Sequence, residues 1–408
     1  MVSSKHIQIS NALNSVSDCI ILQPDSEQYQ EDNGSYFNAF EVETKPLYIA
    51  KPSSVQQVQG LVKALCPSII SGDCQIAVRG TGHTPFAGSA NVEGGVTIDM
   101  RGLKGINLSQ DESTVRIGVG ETWATVYAEL EQHGLTTAGG RVGRIGVAGF
   151  ILGASGEVAY ASEHENAQLW VALKGGLNNF GIVTSFKMKT FKAGKIWGGV
   201  TYYTPDLFSQ LLHHAYEFIQ NETDVNTHIM CSIGYGFGHQ AASCVMYHTQ
   251  GEENPSSLRR FTALEPQIKQ LLFHKKWEET LAEVKDAEGF IFSFGFHPLT
   301  KELLENSEKA GNNAMAISPS DGPLFPKDDH RIFTAIEDLV TEFRRLAAEK
   351  GLLHRYIFAN YGYQKDNIIV GYGEDSVSRL EETSKKYDPE GVFQTGVPGG
   401  FELPSKKA

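Results

Sequence analysis

Cysteine, tryptophan and methionine are scarce: five, four and six among 408 residues. The cysteines (Cys19, Cys66, Cys74, Cys231 and Cys244) are odd in number, scattered, and never spaced Cys-x-x-Cys. That speaks against a disulfide framework or a zinc site and fits reduced, packed thiols of an intracellular protein. No run of about 18 apolar residues exists, so no transmembrane helix is expected. Met1 to Asn14 is polar and lacks an apolar core before a small-residue cleavage site. No signal peptide is therefore read, and the expected location is cytoplasmic. Positive charge is short as well: 35 Lys and Arg stand against 48 Asp and Glu, a net charge of −13. This argues against nucleic acid or an anionic membrane as the main partner. His-Glu-x-x-His, Gly-x-Ser-x-Gly and the Walker lysine loop are absent. His213-His214 falls in a helical pattern, where neighbours face different ways, so no metal site is expected.

What the chain has is glycine, 42 residues of it. The first cluster is Val78-Arg79-Gly80-Thr81-Gly82-His83-Thr84-Pro85-Phe86-Ala87-Gly88, entered from a short apolar run, Cys74 to Ala77. Gly80 and Gly82 can adopt positive φ and turn backbone N–H groups into one concavity, a nest suited to phosphate oxygens. A lone Gly-x-Gly is weak evidence, because most glycine turns are only turns, and His83 alone could be an ordinary loop histidine. The second cluster is Gly139-Gly140-Arg141-Val142-Gly143-Arg144-Ile145-Gly146-Val147-Ala148-Gly149. Its small apolar residues distinguish it from a polar flexible linker and suit backbone lying flat against a ligand.

Local patterns place these clusters. Residues 1–45 read as irregular, with Tyr36, Phe37 and Phe40 as anchors. Tyr48-Ile49-Ala50 reads as a strand. Ser54 and Gln57 form a capping box before an apolar helical face from Val55 to Leu65. Val96 to Met100, Thr114 to Val119 and Ile182 to Phe191 read as strands, and Thr122 starts a helix stopped by Gly134. From about Gly194 the pattern becomes an amphipathic helix, Pro205–Asn221, with strands His228–Phe237, Gln240–Thr249 and Phe290–His297. A long helix from Ile332 to Leu346 comes next, with Asp328 and Asp329 at its start and Gly351 as its stop. Residues 355–372 read as strand and loop, and Asp375–Tyr387 as a helix. This is an antiparallel sheet with helices, an α+β arrangement.

The order of the motifs resembles the flavin-binding domain of the vanillyl-alcohol-oxidase superfamily, and its berberine-bridge-enzyme-like branch in the form found in fungal secondary metabolism. Carrying the resemblance are Val78 to His83, Gly94-Gly95-Val96-Thr97-Ile98-Asp99, Gly139 to Gly143, Trp170-x-Ala-Leu-Lys-Gly-Gly and Asn178-Asn179-Phe180-Gly181-Ile182-Val183-Thr184. Asn360-Tyr361, Tyr372-Gly373-Glu374 and Tyr387-Asp388-Pro389 with Val392-Phe393 complete it. The resemblance implies a two-part FAD-binding (PCMH-type) domain from residues 1–193 and 355–408, with an antiparallel-sheet substrate domain, 194–354, backed by helices. It implies FAD as cofactor, with Arg79, Gly80, Thr81, Gly82, His83 and Thr84 around the pyrophosphate and His83 bonded to the flavin 8α-methyl. Val142, Gly143, Gly146 and Gly149 would line the isoalloxazine, Ile182 and Val183 would lie beside the adenine, and Asn360 would reach the flavin edge. Tyr361 is the candidate base, since Phe358 occupies a position where relatives carry tyrosine. Tyr356, Tyr202 and Tyr203 are further candidates.

The implied activity is oxidation of a small secondary metabolite with O2 as electron acceptor. The alternatives are a non-redox cyclase or binding protein of the same fold, or an inactive truncated product. Two departures bear on this choice. Many relatives carry a cysteine link where Val142 stands, so a single link is expected. After Phe150-Ile151-Leu152-Gly153 the family continues with a glycine run, a turn and a strand, whereas Ala154-Ser155-Gly156-Glu157-Val158 resembles the family's sequence beyond that strand. Either the segment is lost from this reading of the gene, or the fold closes over the gap. The abrupt, in-register join points to the first, on which the 408-residue form binds FAD poorly and a restored form binds it well.

Overall fold

The apolar spacing of Val58, Leu61, Val62, Leu65 and Ile69 gives one helix a single buried face, and the first core forms on it. The computed structural model describes residues 4–84, 87–147, 159–222, 224–236, 239–264, 292–296, 333–351, 353–357, 362, 366 and 368–404. The α+β character read from the sequence is observed. The chain divides into two compact units, one of residues 1–193 with 373–408 and one that includes Gly194–Asn312 and Ala316–Tyr372. Residues 355–372, read from sequence as part of the segment returning to the first unit, thus lie in the second.

The first unit opens with helix α1 (Ser4–Asn14), strand β1 (Ile20–Leu22), helices α2 (Glu27–Gly34) and α3 (Ala39–Glu43), and strand β2 (Tyr48–Lys51). Helix α4 (Val55–Ile70), β3 (Ile76–Arg79) and β4 (Val96–Asp99) complete a sheet of order β1-β2-β4-β3. Strands β2, β4 and β3 run parallel, and all four side chains of β4 are buried, as expected of a parallel strand covered on both faces. A second, antiparallel sheet has the order β5-β6-β8-β7, from Ile106–Leu108, Thr114–Gly118, Ser185–Lys192 and Leu135–Thr137. Helix α5 (Trp123–Glu131) leads into β7, and α6 is Ala167–Leu173. Buried residues of α1, α4, both sheets and α5 share one core, with Leu13, Leu61, Val96, Ile117 and Trp123 fully enclosed. Val392, Phe393 and Val397 of the C-terminal segment belong to the same core.

The second unit is an antiparallel sheet of order β12-β10-β11-β9, built from Trp197–Tyr203 (β9), Thr227–Gly236 (β10), His239–His248 (β11) and Phe292–Phe296 (β12). Helix α7 (Phe208–Asn221) contributes Leu211, Ala215 and Phe218 to a core with Ile229, Cys231 and Ile233 of β10. Leu339 and Phe343 of the helix Phe333–Glu349 join it, and Gly351 comes after at φ +67°. No helix among the described residues is long and apolar enough to cross a membrane.

Several expectations are corrected. Residues 1–45 are not irregular: they hold three helices and a strand. Of the three anchors only Tyr36 is buried, while Phe37 and Phe40 are exposed. The capping box at Ser54 is half formed. The Ser54 side chain accepts from Gln57 N–H at 3.2 Å, but Gln57 Oε1 accepts from Ser53 N–H at 2.7 Å, one residue earlier than the motif requires. Strand β8 starts at Ser185, opposite Gly118, where its partner β6 ends. Asp328, Asp329, His297 and the Gly153-Ala154 junction lie outside the described residues.

Candidate functional site

The site is assembled on the C-terminal end of β3. Arg79 is the last strand residue and is 0 % exposed. Its guanidinium donates to Asp32 O at 2.7 Å and Ser35 Oγ at 2.9 Å, and lies 3.6 Å from the centroid of the Tyr36 ring. Burial pulls its pKa down, with nearby Tyr36, Asp99 and Asp32 acting in the opposite sense. The Arg79 side chain, expected from sequence among the cofactor contacts, is thus a support underneath the turn. Its Nε is buried with no acceptor among the described residues, and a Cβ on Gly82 would stand 3.0 Å from it. Arg101 completes the charged base, paired with Asp99 and Asp32, and Lys51 reaches Asp32 at 2.5 Å.

Beyond Arg79 the chain turns. Gly82 adopts φ +73°, and its missing side chain leaves room for Tyr36, whose Cδ1 would be 2.7 Å from a Cβ there. The backbone N–H groups of Thr81, Gly82, His83 and Thr84 have no protein acceptor among the described residues. Successive unpaired N–H groups around a positive-φ glycine are the makings of an anion nest. The far end of the turn is already filled: the buried Glu41 carboxylate accepts from Gly88 N–H, Ser89 Oγ and Ala90 N–H at 3.1, 2.8 and 2.8 Å. Burial raises the pKa of Glu41, and these donors offset part of the rise.

The second glycine cluster meets the first. Gly146 N–H donates to Thr81 Oγ1 at 2.9 Å, and a Cβ on Gly146 would lie 2.6 Å from that oxygen. Gly143 and Ile145 carbonyls accept from Ala124 and Trp123 N–H at 2.9 and 3.1 Å. The cluster therefore satisfies two of the orphan donors at the N-terminus of α5. Gly139 and Gly140 lie against the Trp123 indole, where any Cβ would collide. Val142 is 45 % exposed. Ile182 is buried in the core, with Val183 packed against it.

The Asn178-Asn179 pair has a role that sequence reading did not assign. Asn178 Nδ2 donates to Gly399 O at 2.6 Å. Buried Asn179 donates to Gly176 O and Phe401 O and accepts from Gln394 Nε2 and Leu403 N–H. The pair fastens the C-terminal tail, which also gives its Gly396 carbonyl to Ile76 of β3. Tail residue Gly399 lies against Gly88 and Ser89 at the end of the glycine-histidine turn.

Of the tyrosine candidates, Tyr203 donates its hydroxyl to Phe261 O at 2.9 Å, and burial pushes its pKa up to about 12. Burial also raises Tyr356. Tyr202 is 75 % exposed. Gly149, Asn360 and Tyr361 lie outside the described residues. No group of side chains suited to a metal ion occurs among the described residues.

Comparison with known proteins gives the turn its context. Residues 46–171 match the family described as FAD binding domain. The chain is 28 % identical to the FAD-dependent monooxygenase tpcD of Cochliobolus heterostrophus, over 82 % of this chain and 81 % of that protein. It is 26 % identical to the FAD-dependent monooxygenase CTB5 of Cercospora beticola, over 94 % and 89 %. The alignment with the Cochliobolus protein runs over 418 positions while spanning 82 % of 408 residues. Several dozen of those positions are therefore residues the relative has and this chain lacks. The fold is that of the BBE-like 1 protein of Physcomitrella patens, with a TM-score of 0.73 at 15 % identity, over 98 % of this chain and all of that one.

Proposed function

We propose that the chain is an FAD-dependent oxidoreductase that takes hydride from a small secondary metabolite and passes the electrons to O2. One observation carries this reading. The glycine-histidine turn presents four backbone N–H groups without protein acceptors among the described residues, on a matched FAD domain, and Thr81 ties it to the second glycine cluster.

The residues fit FAD. Thr81 to Thr84 offer N–H groups to the pyrophosphate, over the buried positive charge of Arg79. Gly82, at φ +73°, permits the turn, whereas Gly80 does not take the positive φ read for it from the sequence. His83 carries the covalent link, and Val142 has no nucleophilic atom for a second. Val142, Gly143, Gly146 and Gly149 would hold the isoalloxazine, Ile182 and Val183 the adenine, and Asn360 the flavin edge. Tyr361 is the proposed base that accepts the substrate's proton. Bound FAD supplies hydride acceptance and reoxidation by O2; the chain supplies binding, orientation and proton transfer. Acid-precipitated protein should stay yellow, and His83→Ala should release the flavin to the supernatant. Flavin fully extracted by acid from the unmutated chain would refute attachment.

A second reading, a chain that no longer holds FAD, is favoured by the alignment gap and by β8. Its Ser185–Lys189 stretch pairs with β6, while β7 covers only Thr190–Lys192 on the other side, among the described residues. Visible absorbance of the purified protein separates the two readings.

A further inference from the structure

A histidine that must react in one geometry is commonly oriented by a hydrogen bond to its second ring nitrogen. Among the described residues His83 has no such bond at either nitrogen. Its side-chain partner there is Phe37: the ring centroids are 4.1 Å apart and the planes are 10° from parallel. Phe37 is 69 % exposed, so core packing does not hold it in place. Its neighbours do. Ser35 Oγ accepts from Arg79 and Arg101, each at 2.9 Å. Tyr36 lies beneath Gly82 and donates to Ala90 O at 2.9 Å. Phe37 N–H donates to Gly82 O at 3.1 Å. Three consecutive residues therefore run fixed beside the turn, and the last lays its ring on the imidazole.

Stacking covers one face of His83 and consumes neither nitrogen, because the reacting lone pair lies in the ring plane. We propose that Phe37 is the positioning residue for His83, restricting the imidazole to the orientation in which one nitrogen meets the flavin methyl carbon. This rests on the reading that FAD is attached through His83. In that attachment a C–N bond replaces a C–H bond of the methyl group, and the imidazole gives up its N–H proton. The two electrons and two protons released reduce the isoalloxazine, and O2 takes them as H2O2.

The test uses the full chain, produced without flavin and then supplied with FAD, as the unmutated form, Phe37→Ala and Phe37→Trp. Four quantities are read: the rate at which flavin becomes acid-stable on His83, total bound flavin, the rate of His83 carbethoxylation by diethyl pyrocarbonate before FAD is added, and Tm. In Phe37→Ala, attachment should slow about tenfold or more, as expected when one reacting group loses its orientation. Carbethoxylation should instead rise several-fold, since a small reagent meets a freely turning ring more often. Total bound flavin and Tm should hold, and Phe37→Trp should restore both rates. Unchanged attachment and carbethoxylation in Phe37→Ala would overturn the proposal, as would a joint fall of both rates with Tm. If the unmutated chain attaches no flavin at His83, the attachment reading fails and this role with it, an outcome visible in the unmutated arm alone.

Discussion

At Gly146 a single methyl group decides whether the two glycine clusters can meet. A Cβ there would stand 2.6 Å from Thr81 Oγ1, where the Gly146 N–H donates. Gly146→Ala should therefore cost about 1–3 kcal/mol by overpacking and weaken flavin retention, whereas Thr81→Ser, which keeps the hydroxyl, should retain flavin. Equal Tm and flavin content in Gly146→Ala and the unmutated chain would contradict this. Glu41 makes a pH-dependent contribution at the other end of the turn. Burial raises its pKa in the folded state, so its stabilisation is complete below the unfolded carboxyl pKa and is lost as pH rises through the folded value. Urea unfolding should show Glu41→Gln destabilising the chain more at about pH 5 than at about pH 8; an equal or larger loss at the higher pH would count against it. Glycine spacing and one histidine in the turn were legible because they are local in sequence. Phe37 and Glu41 were not, because their partners lie about 45 residues downstream and nothing near them in sequence names those partners.

Among the elements, the strands and helices with a clean apolar period matched their sequence reading: β2, β4, β6, α4, α5 and α7. The N-terminal helices did not. Helix α1 buries little beyond Ile9 and Leu13. Helix α2 is polar throughout except Tyr29, whose hydroxyl donates to Pro46 O at 2.7 Å. Long-range contacts hold both, and a periodicity argument cannot see them. The tail is a similar case. Asn179 hydrogen-bonds four partners, two of them in residues 401–403. Asn179→Ala leaves those buried groups unpaired at about 1–3 kcal/mol each, so chymotrypsin should cut at Phe401 much sooner than in the unmutated chain. Unchanged protection of the tail would show that Gly396 and the core residues Val392 and Phe393 suffice.

For the whole molecule, the motif order indicated a flavin domain and the apolar patterns from Gly194 a sheet-and-helix unit. The substrate was never legible, because no motif in residues 194–354 names it, and relatives under 30 % identical do not transfer one. A form restored with the family segment after Gly153 should bind FAD at least as tightly as the chain itself. The most direct measurement is peptide mass spectrometry of the purified 408-residue protein after trypsin. Cleavage after Arg79 and Arg101 isolates Gly80–Arg101, which carries His83. If FAD is held as proposed, the flavin mass appears on that peptide and on no other. Flavin on any cysteine peptide, or no bound flavin in the protein, would contradict it.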